Sequence, residues 1–234
     1  MKNRVIAITN NKGGVGKTTT VVNLAAGLAL INRRVLVIDT DPQANATFAL
    51  LGEDHPTSTL YDALIGTVSP IHLVRATRSP QVDLIPSAIT LSAADITLAG
   101  VPGREKLLAR KLNSISGYDY ILIDTPPSLG VLTVNSLTSA KEVFIPVGVG
   151  TFALLGIRLL EDTIAQLKEN LELDGLEVTG AIATLSDHTR VAQDTLTALR
   201  DHFGERLFKS VIPRNKDIEE AHSRAQSVFC VCPK

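Results

Sequence analysis

Three segments carry residues that could hold a phosphate chain and a divalent cation. The first is Asn11-Lys12-Gly13-Gly14-Val15-Gly16-Lys17-Thr18-Thr19. Glycines at 13, 14 and 16 let the backbone turn so that successive N–H groups point inward at phosphate oxygens, and a helix opening there adds the positive end of its dipole. In that arrangement Lys17 reaches the outer phosphates and the Thr18 hydroxyl ligates Mg²⁺. The general pattern G-x-x-x-x-G-K-[ST] wants glycine where this chain has Asn11, so the strict motif is broken. The second segment, Val35-Leu36-Val37-Ile38-Asp39-Thr40-Asp41-Pro42-Gln43, ends an apolar run in acids at i and i+2. On extended backbone these side chains point the same way, so both carboxylates can face one ion or one water. Gln43 could position that water, or serve only the turn after Pro42. The third segment, Tyr118 to Pro127, delivers Asp124 at the end of another apolar run.

Those groups meet only if the elements behind them form a suitable frame. Short apolar runs occur at Val5–Thr9, Val35–Ile38, Val82–Ile85, Tyr120–Ile123, Val143–Val147, Val178–Leu185 and Phe208–Ile212. Between them Thr18–Ile31, Ala88–Leu112 (interrupted around Gly100–Gly103), Ala153–Leu173 and Arg190–Phe203 carry apolar residues at three- and four-residue spacing, the mark of helices. Such alternation predicts an α/β fold: one doubly wound, mostly parallel sheet with helices on both faces. In such a sheet ligands bind at the carboxyl ends of strands, which puts Asp39, Asp41 and Asp124 on the rim that carries the glycine loop. Leu51–Pro80, punctuated by prolines and a glycine, reads as loop with one short helix at Leu60–Ile65. The terminal Val228–Val231 reads as strand-like. No repeat or linker divides residues 1–234, so a single domain is expected.

Composition narrows the function classes. The 234 residues are 44% hydrophobic and carry 23 Lys+Arg against 24 Asp+Glu, enough for one packed core and too balanced for a disordered polyelectrolyte or a wholly basic surface. Any nucleic-acid contact must therefore be local. The longest apolar stretch, Val21–Ile31, falls far short of the ~20 residues of a membrane span. The opening MKNRVIAITN lacks the pattern of a secretory signal. The two cysteines, Cys230 and Cys232, lie near the end of the sequence, which fits a reducing cytoplasm and offers neither a disulfide framework nor a four-ligand metal site. His55, His72, His188, His202 and His222 show no ligand spacing and read as surface residues.

Taken together, these segments resemble the ParA/Soj partition ATPases, P-loop NTPases with a deviant Walker A motif, in the wider group that includes the MinD-like proteins. Lys12-Gly13-Gly14-Val15-Gly16-Lys17-Thr18-Thr19 is similar to that family's deviant phosphate loop, whose extra signature lysine would be Lys12. Asp39-Thr40-Asp41-Pro42-Gln43 is similar to its Walker A′ segment, and Ile123-Asp124-Thr125-Pro126-Pro127-Ser128-Leu129-Gly130 to its Walker B and switch segment. Agreement continues through Ile145-Pro146-Val147, Ala153-Leu154 with Gly156, and Val211-Ile212-Pro213-Arg214-Asn215, so the likeness runs from about residue 3 to about residue 229.

The resemblance implies a weak, partner-stimulated ATPase with ATP and Mg²⁺ as cofactors. It implies a homodimer closed by ATP in which Lys12 reaches the nucleotide of the other subunit. It casts Lys17 and the glycine loop as the phosphate cradle, Thr18 as Mg²⁺ ligand, Asp39 and Asp124 as holders of the Mg²⁺ hydration shell, and Asp41 as the group that orients or deprotonates the attacking water. Pro213 and Asn215 resemble the loop that contacts adenine; a plain strand-ending turn reads the same residues equally well. The resemblance further implies nonspecific DNA binding in the ATP state, a ParB-type centromere-binding partner, and a cytoplasmic, nucleoid-associated location. Candidate DNA contacts are Arg190, Lys216 and Arg224, with Arg200, Arg206, Lys209 and Arg214 beside them. This chain departs from the family where Gly148, Val149 and Gly150 stand in place of polar or acidic residues, and its sequence lacks the family's closing helix. A nucleotide-gated adaptor that holds no DNA, or a MinD-like membrane-cycling regulator, are the alternative readings; no basic amphipathic membrane helix supports the second.

Overall fold

The computed structural model describes the chain at all residues except 1, 2, 54, 151, 188 and 232–234. His188 and Cys232 thus lie outside the described residues, as does the side chain of His222.

Among the described residues eight strands form one sheet: β1 (Arg4–Ile8), β2 (Val35–Asp39), β3 (Arg75–Ala76), β4 (Val82–Ile85), β5 (Tyr120–Asp124), β6 (Glu142–Gly148), β7 (Glu177–Ser186) and β8 (Leu207–Pro213). Their order is β3-β4-β2-β5-β1-β6-β7-β8, parallel except for β3, which pairs antiparallel with β4. All seven strands expected from the apolar runs are present within a residue or two of their predicted ends. The two-residue β3 is too short to leave a pattern.

Ten α-helices complete the fold among the described residues. They are α1 (Lys17–Leu30), α2 (Asn45–Leu51), α3 (Leu60–Ile65), α4 (Ala94–Thr97), α5 (Leu107–Leu112), α6 (Val131–Ser139), α7 (Ala153–Leu171), α8 (Arg190–Phe203), α9 (Lys216–Ser223) and α10 (Val228–Val231). The predicted Ala88–Leu112 helix is four short pieces, 3₁₀ turns at Ile89–Ala93 and Arg104–Lys106 alternating with α4 and α5. The break falls at Gly100–Gly103, where Pro102 removes a donor and Gly103 takes a left-handed φ of 66°. Val228–Val231 is a helical turn and not the strand-like end its apolar content suggests. Asn23 of α1 accepts a hydrogen bond from the Val228 N–H at 2.8 Å, and the Phe229 ring lies over Gly27, so these residues dock on α1.

Alternation along the strands divides the core into two faces. Leu36 and Ile38 of β2 pack with Ile121 and Ile123 of β5 beneath α3, α5 and α6, while α7 and α8 cover β6 and β7 on the same side. Val35, Val37 and Leu122 face the other way, against Val21, Val22 and Ala25 of α1 and Ala49 and Leu50 of α2. The central strands are buried on both sides, which is why they read as unbroken apolar runs. Register then fixes the chemistry: Asp39 pairs with Asp124 across β2 and β5, and Ile8 with Asp124 across β1 and β5. By the two-residue period both acids share the α1 side of the sheet.

Candidate functional site

The glycine loop runs from β1 into α1 and is fastened at three points. The Asn10 carboxamide donates to the Pro146 carbonyl of β6 (2.8 Å) and accepts from the Lys12 N–H (3.0 Å). Thr184 of β7 donates to the Val15 carbonyl at 2.8 Å. Gly14 and Gly16 have φ of 70° and 83°, values that a side chain would strain. Gly148, the departure noted above, faces this loop from β6: a Cβ there would stand in van der Waals contact with Val15 Cγ1, at 3.4 Å.

Lys17 is the first residue of α1 and is buried; its ammonium donates to the Lys12 carbonyl at 3.3 Å. Burial lowers its pKa, and the charges of Asp124 and Asp41 oppose that shift. Thr18 donates to Asp124 Oδ2 at 2.7 Å. The other oxygen of that fully buried carboxylate, Oδ1, has no hydrogen-bond partner. Burial first, then the charge of Asp39, raises the Asp124 pKa well above the ordinary carboxylate range. An orphaned buried oxygen beside a threonine hydroxyl and a lysine ammonium fits a hydrated divalent cation, which supplies the donors that the protein withholds. Lys12 is exposed, and its ammonium has no ion pair or hydrogen bond among the described residues.

Asp39 has different surroundings. Its Oδ2 accepts from both the N–H (2.8 Å) and hydroxyl (2.7 Å) of Thr47, and its Oδ1 accepts from the Asp41 N–H at 3.1 Å. Both oxygens are thus engaged in holding the loop between β2 and α2. Burial lifts its pKa to about 7 against these hydrogen bonds, which act to lower it. Asp41 is 7% exposed, lines the central cavity, and accepts the Gln43 N–H at 2.9 Å on Oδ1. Gln43 therefore contacts Asp41 through its backbone, and the residue lines the same cavity.

The raised Asp39 value has a measurable consequence. Between the unfolded value near 4 and about 7 the native carboxyl keeps a proton that the unfolded chain has released, so this group's contribution to stability falls as pH rises across that window. The raised Asp124 value acts in the same direction. The melting temperature of the nucleotide-free protein minus that of Asp39→Asn should fall by roughly 4 °C or more from pH 4 to pH 7. A flat or rising difference contradicts it.

The cavity has a volume of about 790 Å³. Gly13, Gly14, Gly16, Lys17, Thr18, Thr19 and Asp41 line it together with Pro213, Arg214, Asn215 and Ile218. Asn215 Oδ1 accepts the Asp217 N–H at 2.8 Å at the start of α9, leaving its amide nitrogen for other partners. Much of the remaining wall is apolar: Phe144 and Phe208, edge-to-face at 5.2 Å, with Ile182, Leu24 and Phe229.

Residues 3–176 match the family profile described as an AAA domain. The chain is 40% identical over 234 residues to the sporulation initiation inhibitor protein Soj of Bacillus subtilis, covering 99% of this chain and 92% of that protein. It is 40% identical over 231 residues to the chromosome partitioning protein ParA of Caulobacter vibrioides, covering 97% and 86%. The chain belongs to the ParA/Soj family. Its fold also superposes with a TM-score of 0.85 on cobyrinic acid a,c-diamide synthase of Mycobacterium smegmatis with an ATP analogue and magnesium bound, at 35% identity over 96% of this chain and 93% of that one.

Within this ParA/Soj fold the predicted DNA contacts differ in their surroundings. Arg190 and Lys216 open α8 and α9, exposed beyond the carboxyl ends of the neighbouring parallel strands β7 and β8. Arg224 pairs with Glu220, an i,i+4 contact that occupies its guanidinium. His55 and His72 are exposed, but His202 is half-buried, 2.7 Å from Glu161 of α7. Thr47, Ser87 and the apolar wall leave no sequence signal, because α2 is too short for a periodic pattern and Ser87 sits in an irregular segment just after β4.

Proposed function

We propose that this ParA/Soj chain is a partition ATPase that binds Mg·ATP, closes into a homodimer on it, holds DNA without sequence preference in that state, and is stimulated by a ParB-type partner. The observation that carries the reading is the unpartnered Asp124 Oδ1 on the rim where Lys17, Thr18 and Asp41 converge. Lys17 and the glycine loop hold the phosphates, Thr18 and Asp124 hold the cation directly and through its water shell, and Asp41 takes the proton of the attacking water. The bound cation supplies charge neutralisation on the phosphates. Asp39 serves that site mainly by shaping the loop that carries Asp41. Lys12, exposed and unpaired, reaches the nucleotide of the opposite subunit, and Pro213 with Asn215 flanks the base.

The net charge of −1 gives the monomer little long-range attraction for phosphate, so doubling a local basic patch is the route to useful affinity. Arg190 and Lys216 from two subunits give a slope of log K against log salt of roughly 4 on duplex DNA, or roughly 5 if Arg224 leaves Glu220 and contributes. Light scattering and gel shifts with ATP, ADP and no nucleotide test this. The expected result is a dimer and a retarded duplex with ATP alone, with no preference among sequences. Equal binding in all three states rejects the reading, and ATP-dependent dimerisation without DNA binding favours the nucleotide-gated adaptor.

A further inference from the structure

The loop that bears Asp41 is held from beyond the end of β4, a strand that pairs with β2 and β3 and not with β1. Ser87 follows β4, the strand next to the edge strand β3, and is fully buried. Its hydroxyl donates to the Asp41 carbonyl at 2.7 Å, and its N–H donates to Thr47 Oγ1 at 2.9 Å. That hydroxyl of Thr47, also fully buried, donates to Asp39 Oδ2 at 2.7 Å, and Asp39 Oδ1 accepts the Asp41 N–H. The circuit closes on itself. Asp41 is gripped at its N–H through Asp39 and at its carbonyl by Ser87, which fixes the backbone from which its side chain addresses the cavity.

We propose that Ser87 and Thr47 are positioning residues for Asp41, setting where its carboxylate meets the attacking water without touching nucleotide themselves. The proposal rests on the hydrolytic role given to Asp41 above. Neither side chain lines the cavity, so their influence on nucleotide binding is indirect and small. A carboxylate that must deprotonate a water depends steeply on placement, and displacements of about 1 Å cost up to ~10²-fold in rate.

Ser87→Ala isolates the effect, because the Asp41 carbonyl keeps a second hydrogen bond from the Ala44 N–H at 2.9 Å and is not orphaned. In the full chain with Mg·ATP, kcat should fall about tenfold with KM unchanged within twofold, the loss expected of an interaction that matters in the transition state. In the nucleotide-free protein, amide exchange across residues 41–44 should accelerate about fivefold while β1 and β5 stay protected, consistent with the loss of one buried hydrogen bond. Unchanged kcat, a rise in KM at constant kcat, or a fall in kcat without faster exchange at 41–44 overturns the assignment. Asp41→Ala is the accompanying control. If it abolishes turnover while Ser87→Ala does nothing, only the positioning role falls; if it leaves turnover intact, the hydrolytic reading of Asp41 falls and takes the positioning role with it.

Discussion

Lys17→Ala is expected to reduce affinity for Mg·ATP and Mg·ADP at least a hundredfold. Lys17 is the buried cation of the site, set at the first turn of α1, where the helix dipole and the loop N–H groups already favour phosphate. Burial lowers its pKa, so the protein has stripped water from this ammonium before any ligand arrives, and the charges of Asp124 and Asp41 partly compensate. Removing it deletes a charge-assisted contact in a desolvated place. It also leaves the buried carboxyls facing an incoming polyanion without a positive charge between them. Calorimetric titration reads the loss directly. Affinity within tenfold of the parent would show that the phosphates lie elsewhere. Arginine should not restore binding, because its planar fork is larger than the ammonium that fits beside Lys12 O at 3.3 Å.

Asp41→Ala is expected to leave nucleotide affinity within a fewfold of the parent while turnover drops at least a hundredfold, in the range that positioned acid–base groups contribute. The reasoning turns on where the carboxylates stand. Asp39 and Asp124 are fully buried, whereas Asp41 is 7% exposed and reaches the cavity past the end of β2, where a water can lie between it and the last phosphate. Blocking hydrolysis without blocking binding should make the ATP-bound dimer accumulate. Size-exclusion chromatography with light scattering should then show a long-lived dimer with ATP and a monomer without it. Parental turnover, or a variant that stays monomeric in ATP, contradicts the role.

The amino-acid sequence by itself determined the frame and the site's outer ring. Seven strands and the helices α1, α3, α7 and α8 were legible because burial on both faces leaves long apolar runs and amphipathic helices leave a repeating stripe. The glycine loop, Lys17, Thr18 and the strand-end acids were legible because parallel topology sends every strand's carboxyl end to one rim. Tertiary structure alone decided how the acids divide their labour. Asp39 and Asp124 look alike in sequence, each ending an apolar strand, and they pair directly across β2 and β5. Yet Thr47, four residues beyond the Asp39–Gln43 segment, donates both hydrogen bonds to Asp39 Oδ2, while Asp124 keeps one buried oxygen bare. No local pattern encodes that difference, because it depends on where the short helix α2 lands against the end of β2. The same holds for Ser87 and for Val228–Val231. The first became part of the site because β4 lies beside β2, and the second became a helical turn because Asn23 and Gly27 of α1 offered a dock. Sequence periodicity reports which side of an element is buried; what buries it, and which polar atom is left over, follow from contacts between residues far apart in the chain.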